Sequence, residues 1–489
     1  MLNMAVRNTK KLIRERSAAE NVRIGRFFTK KETAALLARM FSFEERKTEM
    51  TVLDPGAGTG ILSAALLEAI CLGRAALSVK LVCYENNSLY LPMLKNNLER
   101  LRRRVRREHG VRLAYEVREE NFLLDASARA GESFDCIIMN PPQELVQKES
   151  PEAETAKDVL TTPTVDLAYL FIASAMLRLS EDGQLAMLIP TAFATAVSLS
   201  RLREGLLGEM RVTAMHLFTS PKGLKKNFLL GLKKTEEQGE PIAVTTSPDE
   251  GSYEHLGSLP PLPYRFLVRE DGTLLLLSKA EDLKVLEAVG RFPCRFSTFG
   301  LRMRTGLTLP SRYPDLLRDE PGRGVVPLIH PRSVSDGRVL FPVPRMAGQY
   351  IAPSIPSLIQ PNRNMLLVKR FPAKTDKRRL ICAPYMASQA SGYRFISTHN
   401  KLNYIDTDRE EMDAAFLTGL YAVLSTTLYD RYVWIISRSG QINATEFSDL
   451  PLPDETALRA IGGRLIAVRR FEPEICDVTF SAYLKQNNH

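Results

Sequence analysis

The sequence predicts an α/β protein: a doubly wound, Rossmann-like domain comes first and a mixed, irregular domain follows. Three observations carry this. Short apolar runs alternate with helical stretches from Thr51 to about Lys234, a glycine-rich turn follows the first of those runs, and the alternation stops after Lys234. Strand–helix alternation needs crossover connections, which are right-handed and give a mostly parallel sheet.

The elements follow in order. TKKETAALLARMF (29–41) reads as a helix with Thr29 as N-cap and Glu32 three residues on. TVLDP, VKLVCYE, YEVREENF, FDCIIMNPP and GQLAMLIP, rich in Val, Ile, Leu and Tyr, read as strands. Between them GILSAALLEAICL, SLYLPMLKNNLERLRRRVRRE and TVDLAYLFIASAMLRLS read as helices. TEEQGEPIAVTTSPDEGSYEHLGSLPPLPYR is rich in Gly, Pro, Ser and acids and reads as a connection. MDAAFLTGLYAVLSTTLYDRYVWII then reads as one helix with Leu417, Leu420, Leu424 and Leu428 on one face. The expected boundaries are 1–245 for the first domain, 246–290 for the connection and 291–489 for the second domain.

A chain of 489 residues is too long for one core. Its 44% apolar and 25% charged residues are ordinary for a globular protein. The net charge of +10 suits a polyanion partner, because Lys and Arg that meet phosphates release counterions. Ribosomal and anionic-membrane surfaces fit that charge equally well. Six scattered cysteines without a Cys-x-x-Cys pair, and six dispersed histidines, predict neither disulfides nor a metal site. The N-terminal segment has charge but no apolar core of a secretory signal, and no run is long enough to cross a bilayer. The expected location is a reducing cytoplasm.

Chemistry concentrates in four places. Asp54-Pro55-Gly56-Ala57-Gly58-Thr59-Gly60 ends a predicted strand and opens a helix, where glycines let backbone approach a ligand closely. Its spacing is Asp-x-Gly-x-Gly-x-Gly rather than the dinucleotide Gly-x-Gly-x-x-Gly. Glu85 ends the next strand and can accept from both hydroxyls of a ribose. Asn121 and Phe122 end the third, suited to the edge and the face of an adenine ring. Asn140-Pro141-Pro142 follows FDCIIM directly. An amide oxygen and a rigidly aimed carbonyl together accept both N–H bonds of an adenine amino group and draw its nitrogen towards tetrahedral geometry.

In this order the sequence resembles the gamma-class N6-adenine DNA methyltransferases, most of all the stand-alone enzymes of PstI/BsuBI-type restriction–modification systems. The resemblance runs over nearly the whole chain. It implies a class I methyltransferase domain, S-adenosylmethionine as cofactor, a target-recognition domain, and double-stranded DNA whose target adenine swings out of the helix. Arg26-Phe27-Phe28-Thr29 resembles the first motif, so Phe28 and Thr29 are implied cofactor contacts with Asp54, Gly56, Gly58, Gly60, Glu85, Asn121 and Phe122. Asn140, Pro141 and Pro142 are the implied catalytic loop. Met303 to Leu307, Leu366 to Leu380 and Asn403 to Ile405 are similar to recurrent segments of the recognition domain. A monomer with a separately acting nuclease is expected, since no added nuclease domain or Asp-x-Glu-x-Lys-like cluster is visible.

Two positions depart from the pattern. Gln143 stands where an aromatic usually follows Asn-Pro-Pro, and stacking on such a ring contributes about 1–3 kcal/mol per base. Phe218, in HLFTSPKGLKKNFLL, resembles the aromatic on the other face of the base and is expected to hold it. Asn121 replaces the usual Asp of the third motif. Among basic residues, the arginines between 100 and 107 read as a solvated helix face. Arg304, Lys369, Arg370, Lys374, Lys377, Arg378 and Arg379 read as phosphate contacts. Methyl transfer to RNA or to a protein glutamine amide also uses Asn-Pro-Pro, and Gln143 fits a DNA-binding protein without turnover. The long C-terminal half favours DNA.

Overall fold

A computed structural model of the chain describes residues 1–14, 28–43, 47–125, 131–155, 164–220, 223–235, 241–249, 256–269, 272–335, 337–372, 376, 378–436, 441–447 and 450–486. The chain divides into two compact units, Met1–Ala280 and Glu281–His489.

The first unit is built on strands β1 (Lys47–Asp54), β2 (Ala76–Tyr84), β3 (Arg112–Arg118), β4 (Phe134–Met139), β5 (Leu145–Gln147), β6 (Thr164–Asp166), β7 (Leu179–Pro190), β8 (Met210–Ser220), β9 (Gly223–Lys234), β10 (Ala243–Ser247) and β11 (Gly257–Ser258). Among the described residues nine of them form one sheet in the order β11-β10-β8-β9-β7-β4-β1-β2-β3. The half from β7 to β3 is parallel throughout, as the alternation predicts. Beyond β7 the sheet turns mixed, because β9 runs antiparallel to both β7 and β8. The segment read as a connection contributes β10 and β11 to this sheet.

Burial on both faces explains the apolar strands. Val52, Leu81, Cys136 and Ala186 pack in one core with helices α1 (Leu2–Arg14), α2 (Lys31–Ala38), α3 (Ile61–Leu72) and α4 (Leu91–His109). Their neighbours Leu53, Val82, Ile137 and Met187 point the other way and are fully buried too. On α4 the arginines lie outward, with Arg102 and Arg103 paired to Glu99 and Arg104 and Arg107 paired to Glu108. No helix among the described residues is long and apolar enough to cross a membrane.

Three local expectations are corrected. Helix α2 is capped by Lys30, not by Thr29, whose hydroxyl is engaged elsewhere. TVDLAYLFIASAM opens as strand β6 before α5 (Leu167–Met176), because Asp166 accepts from Ala168 N at 3.0 Å and starts the helix there. MDAAFLTGLYAVLSTTLYDRYVWII forms two helices, Ala414–Leu424 and Thr427–Ile436, since Thr426 Oγ1 donates to Val423 O at 2.8 Å and turns the chain.

The second unit holds a four-stranded sheet in the order Leu301–Thr305, Leu402–Thr407, Met365–Lys369, Cys382–Tyr385. Among the described residues it also holds a five-stranded sheet of very short strands, two two-stranded sheets and a set of C-terminal helices. Helices Ala414–Leu424 and Glu455–Val468 meet through glycines: a Cβ on Gly419 would lie 1.8 Å from Leu458 O, and one on Gly462 would lie 1.9 Å from Ala415 O. Neither neighbour is a flexible side-chain end, so the helices would have to separate. Gly419→Ala is therefore expected to destabilise the second unit by about 1–3 kcal/mol or more. Gly463→Ala, with nothing within 4 Å of its added carbon, should stabilise by about 0.5–1 kcal/mol. Urea unfolding of the two variants checks the contrast, and equal midpoints would contradict it.

Candidate active site

The carboxyl ends of β1, β2, β3 and β4 open onto one cavity of about 980 Å³, all of it within the first unit. Such a crevice is where ligands settle in doubly wound folds. Its walls include Phe28, Thr29, Gly56, Gly58, Glu85, Asn121, Phe122 and the segment Asn140 to Glu144.

The glycine-rich turn is held by backbone. Ala57 N donates to Tyr84 O at 2.9 Å, and Gly60 N donates to Ala57 O at 2.7 Å. Gly58 and Gly60 take φ of +54° and +82°, which side chains disfavour. Gly60 does not line the cavity; a Cβ there would meet Leu94 Cδ1 at 3.0 Å, so it serves helix packing. Asp54 is likewise a correction as a direct contact. It is fully buried beneath the turn, and its Oδ2 accepts from Ser63 N at 3.1 Å and from Ser63 Oγ at 2.6 Å. Burial, with Glu85 nearby as a smaller cause, pushes its carboxyl up to about 7.

Glu85 sits at the end of β2, where one carboxylate oxygen accepts from Gly58 N at 2.8 Å and the other from Asn87 N at 2.7 Å. Burial raises its proton affinity despite those bonds. Phe122 closes the next wall. Its ring lies 5.2 Å from those of Tyr84 and Phe171, with the Arg178 guanidinium 4.3 Å from its centre. Asn121 holds a turn, its Oδ1 accepting from Leu123 N at 3.0 Å, and its Nδ2 donates to Glu152 Oε1 at 3.0 Å.

Asn140 follows β4 and its Nδ2 donates to Thr29 Oγ1 at 3.0 Å. In this arrangement Oδ1 is left as the acceptor of the amide, and Asn140 lines the cavity. Pro141 is buried, so the loop has a rigid base. Gln143 Nε2 donates to Asn227 Oδ1 at 3.4 Å.

Phe218 is the clearest correction. It is fully buried in the core on β8, edge-on to His216 at 4.9 Å, and is not among the residues of the cavity wall. The β8–β9 hairpin places Lys226 and Asn227 there instead, with Asn227 opposite Pro190 of β7. Sequence reading also missed Tyr90, edge-on to Phe28 at 5.3 Å, and Phe171. Tyr90 stands two residues before Pro92, a signal that marks it as the start of a helix after the second strand.

In the second unit Arg304 is partly exposed and paired with Asp406 at 3.0 Å and Asp408 at 2.8 Å. Arg378 binds Asp477 at 3.0 Å and Ser425 O at 2.6 Å, and Arg379 is buried with its guanidinium 4.9 Å from the Trp434 ring. Both hold helices in place. Lys369 and Arg370 remain partly exposed, whereas Arg26, Phe27, Lys374 and Lys377 lie outside the described residues.

The chain has the fold of class I S-adenosylmethionine-dependent methyltransferases. Residues 68–223 match the model of the Eco57I restriction-modification methylase family. Over 461 residues the chain is 24% identical to the type II methyltransferase M.PstI of Providencia stuartii, covering 91% of this chain and 89% of that one. M.BsuBI of Bacillus subtilis is 24% identical over 465 residues, with 90% and 89% covered. Among solved structures, the type IIL restriction-modification enzyme MmeI in complex with DNA superposes with a TM-score of 0.50 over 99% of this chain and 72% of that one, at 11% identity. The resemblance read from the motifs is borne out: this is a methyltransferase of the restriction–modification kind, and its cofactor is S-adenosylmethionine. The cavity fits that group, with a carboxylate at the end of β2, two glycines in its wall and the Phe122 ring beside Asn121.

The buried Asp54 gives a test. Its proton is held to about pH 7 in the folded chain but only to about 3.8 when exposed. The folded state thus binds more protons across that window, and stability falls as pH rises through it. Asp54→Asn should flatten this fall between pH 5 and 7.5 in urea unfolding; an unchanged fall would contradict the assignment.

Proposed function

We propose that the protein is a site-specific DNA methyltransferase that modifies the N6 amino group of adenine in double-stranded DNA. One observation carries this: Asn140, whose Nδ2 is bonded to Thr29, lines the cavity that fits the cofactor, with its Oδ1 left to accept.

The amino nitrogen of adenine is a poor nucleophile because its lone pair is delocalised into the ring. Asn140 Oδ1 and the Pro141 carbonyl accept its two N–H bonds and stabilise the charge that develops as the nitrogen attacks. S-adenosylmethionine, when bound, supplies an electrophilic methyl group. Glu85 holds the ribose, the Gly56–Gly58 turn admits the methionine end, and Phe122 packs against the purine. A duplex hides the amino group, so the target base leaves the stack to enter. At the entrance the Gln143–Asn227 amide pair stands in for the usual aromatic, so the base is held by hydrogen bonds more than by stacking.

Residues 281–489 read the target, with Lys369 and Arg370 on phosphates. The enzyme acts as a monomer in the cytoplasm, beside a nuclease encoded as a separate chain.

Asn140→Ala should keep S-adenosylhomocysteine affinity and lower methyl transfer by about 10²-fold or more. Calorimetry with the product cofactor and mass spectrometry of nucleosides from treated DNA check both halves. Wild-type transfer rates in this variant would remove Asn140 from the reaction.

A further inference from the structure

Asn121 follows β3, where the resemblance implies contact with the edge of an adenine, yet its side chain is not free to accept from a 6-amino group. Its Oδ1 accepts from Leu123 N, and its Nδ2 points at Glu152 Oε1, 3.0 Å away. An amide nitrogen only donates, and so does an amino group on the purine. Glu152 comes from a one-turn helix, Pro151–Glu154, far along the chain after the Asn-Pro-Pro loop. It lines the same cavity and is partly exposed to it. A carboxylate has about four lone-pair sites, and Asn121 occupies one of them.

We propose that Glu152, held by Asn121, is the residue that selects a 6-aminopurine in the cofactor. The inference rests on the reading of this cavity as an adenosyl site. The pair offers an acceptor, the Glu152 carboxylate, beside a donor, the second N–H of Asn121. Adenine presents the complement: a 6-amino donor beside the N1 acceptor. Hypoxanthine presents the inverse, a 6-oxo acceptor beside an N1–H donor, which sets oxygen against carboxylate. The amide at 121 follows from the same geometry. An Asp there would bring two carboxylates within about 3 Å and raise the proton affinity of one of them.

The test measures binding of S-adenosylhomocysteine and of S-inosylhomocysteine, its 6-oxo counterpart, to the full-length protein and to Glu152→Gln and Glu152→Ala. The wild type should prefer the adenosyl ligand by about tenfold or more, the effect of one mismatched charged hydrogen bond. Both variants should narrow that preference to about threefold or less, mainly by weakening the adenosyl ligand. Thermal unfolding confirms that the variants are folded. If Glu152 only braced Asn121, both ligands would weaken together and the preference would stay, which overturns the proposal. A wild-type protein that binds S-adenosylhomocysteine but shows no preference also overturns it. Absence of wild-type binding to either ligand overturns the adenosyl reading beneath it as well.

Discussion

Leu53 pairs in parallel with Val82 on one side and with Ile137 on the other, and the functional part of the first unit hangs from that register. Parallel strands in step deliver their carboxyl ends to the same edge. The glycine-rich turn, Glu85 and Asn140 therefore arrive together although 86 positions separate Asp54 from Asn140. A slip of one residue would turn every side chain to the opposite face and dismantle the crevice. Burial of both faces makes such a slip costly.

On that edge, polar groups are arranged so that each is fixed by another. Thr29 bonds Asn140, Ser63 holds Asp54 beneath the turn, and Glu152 meets Asn121. A methyltransferase needs this order because its acceptors stabilise charge only if they are aimed before the reaction begins. Gln143 and Asn227, bonded to each other, line the same cavity.

Much of this was legible in the sequence for a physical reason: strand ends and tight turns demand particular residue types. Buried parallel strands read as apolar runs, the turn reads as glycines, and Asn-Pro-Pro reads as a rigid loop with one amide. What stayed hidden depends on partners distant in sequence. Arg304 looks like any surface arginine until Asp406, on the neighbouring strand, and Asp408, just beyond it, are seen to pair with it. Phe218 lies close to the right hairpin, but strand alternation turns it into the core, while Lys226 and Asn227 reach the cavity. Glu152 stands in a segment without a motif, 31 residues from Asn121, and only the fold joins them. In the second unit, strands of two residues leave no periodic pattern to read.

The account stands or falls on methyl transfer to DNA. The direct measurement is transfer of labelled methyl from S-adenosylmethionine to unmethylated genomic DNA, followed by sequencing that locates N6-methyladenine. The account predicts label confined to adenine within one short sequence motif. Label on cytosine, or no label on DNA while the protein binds S-adenosylhomocysteine, would contradict it.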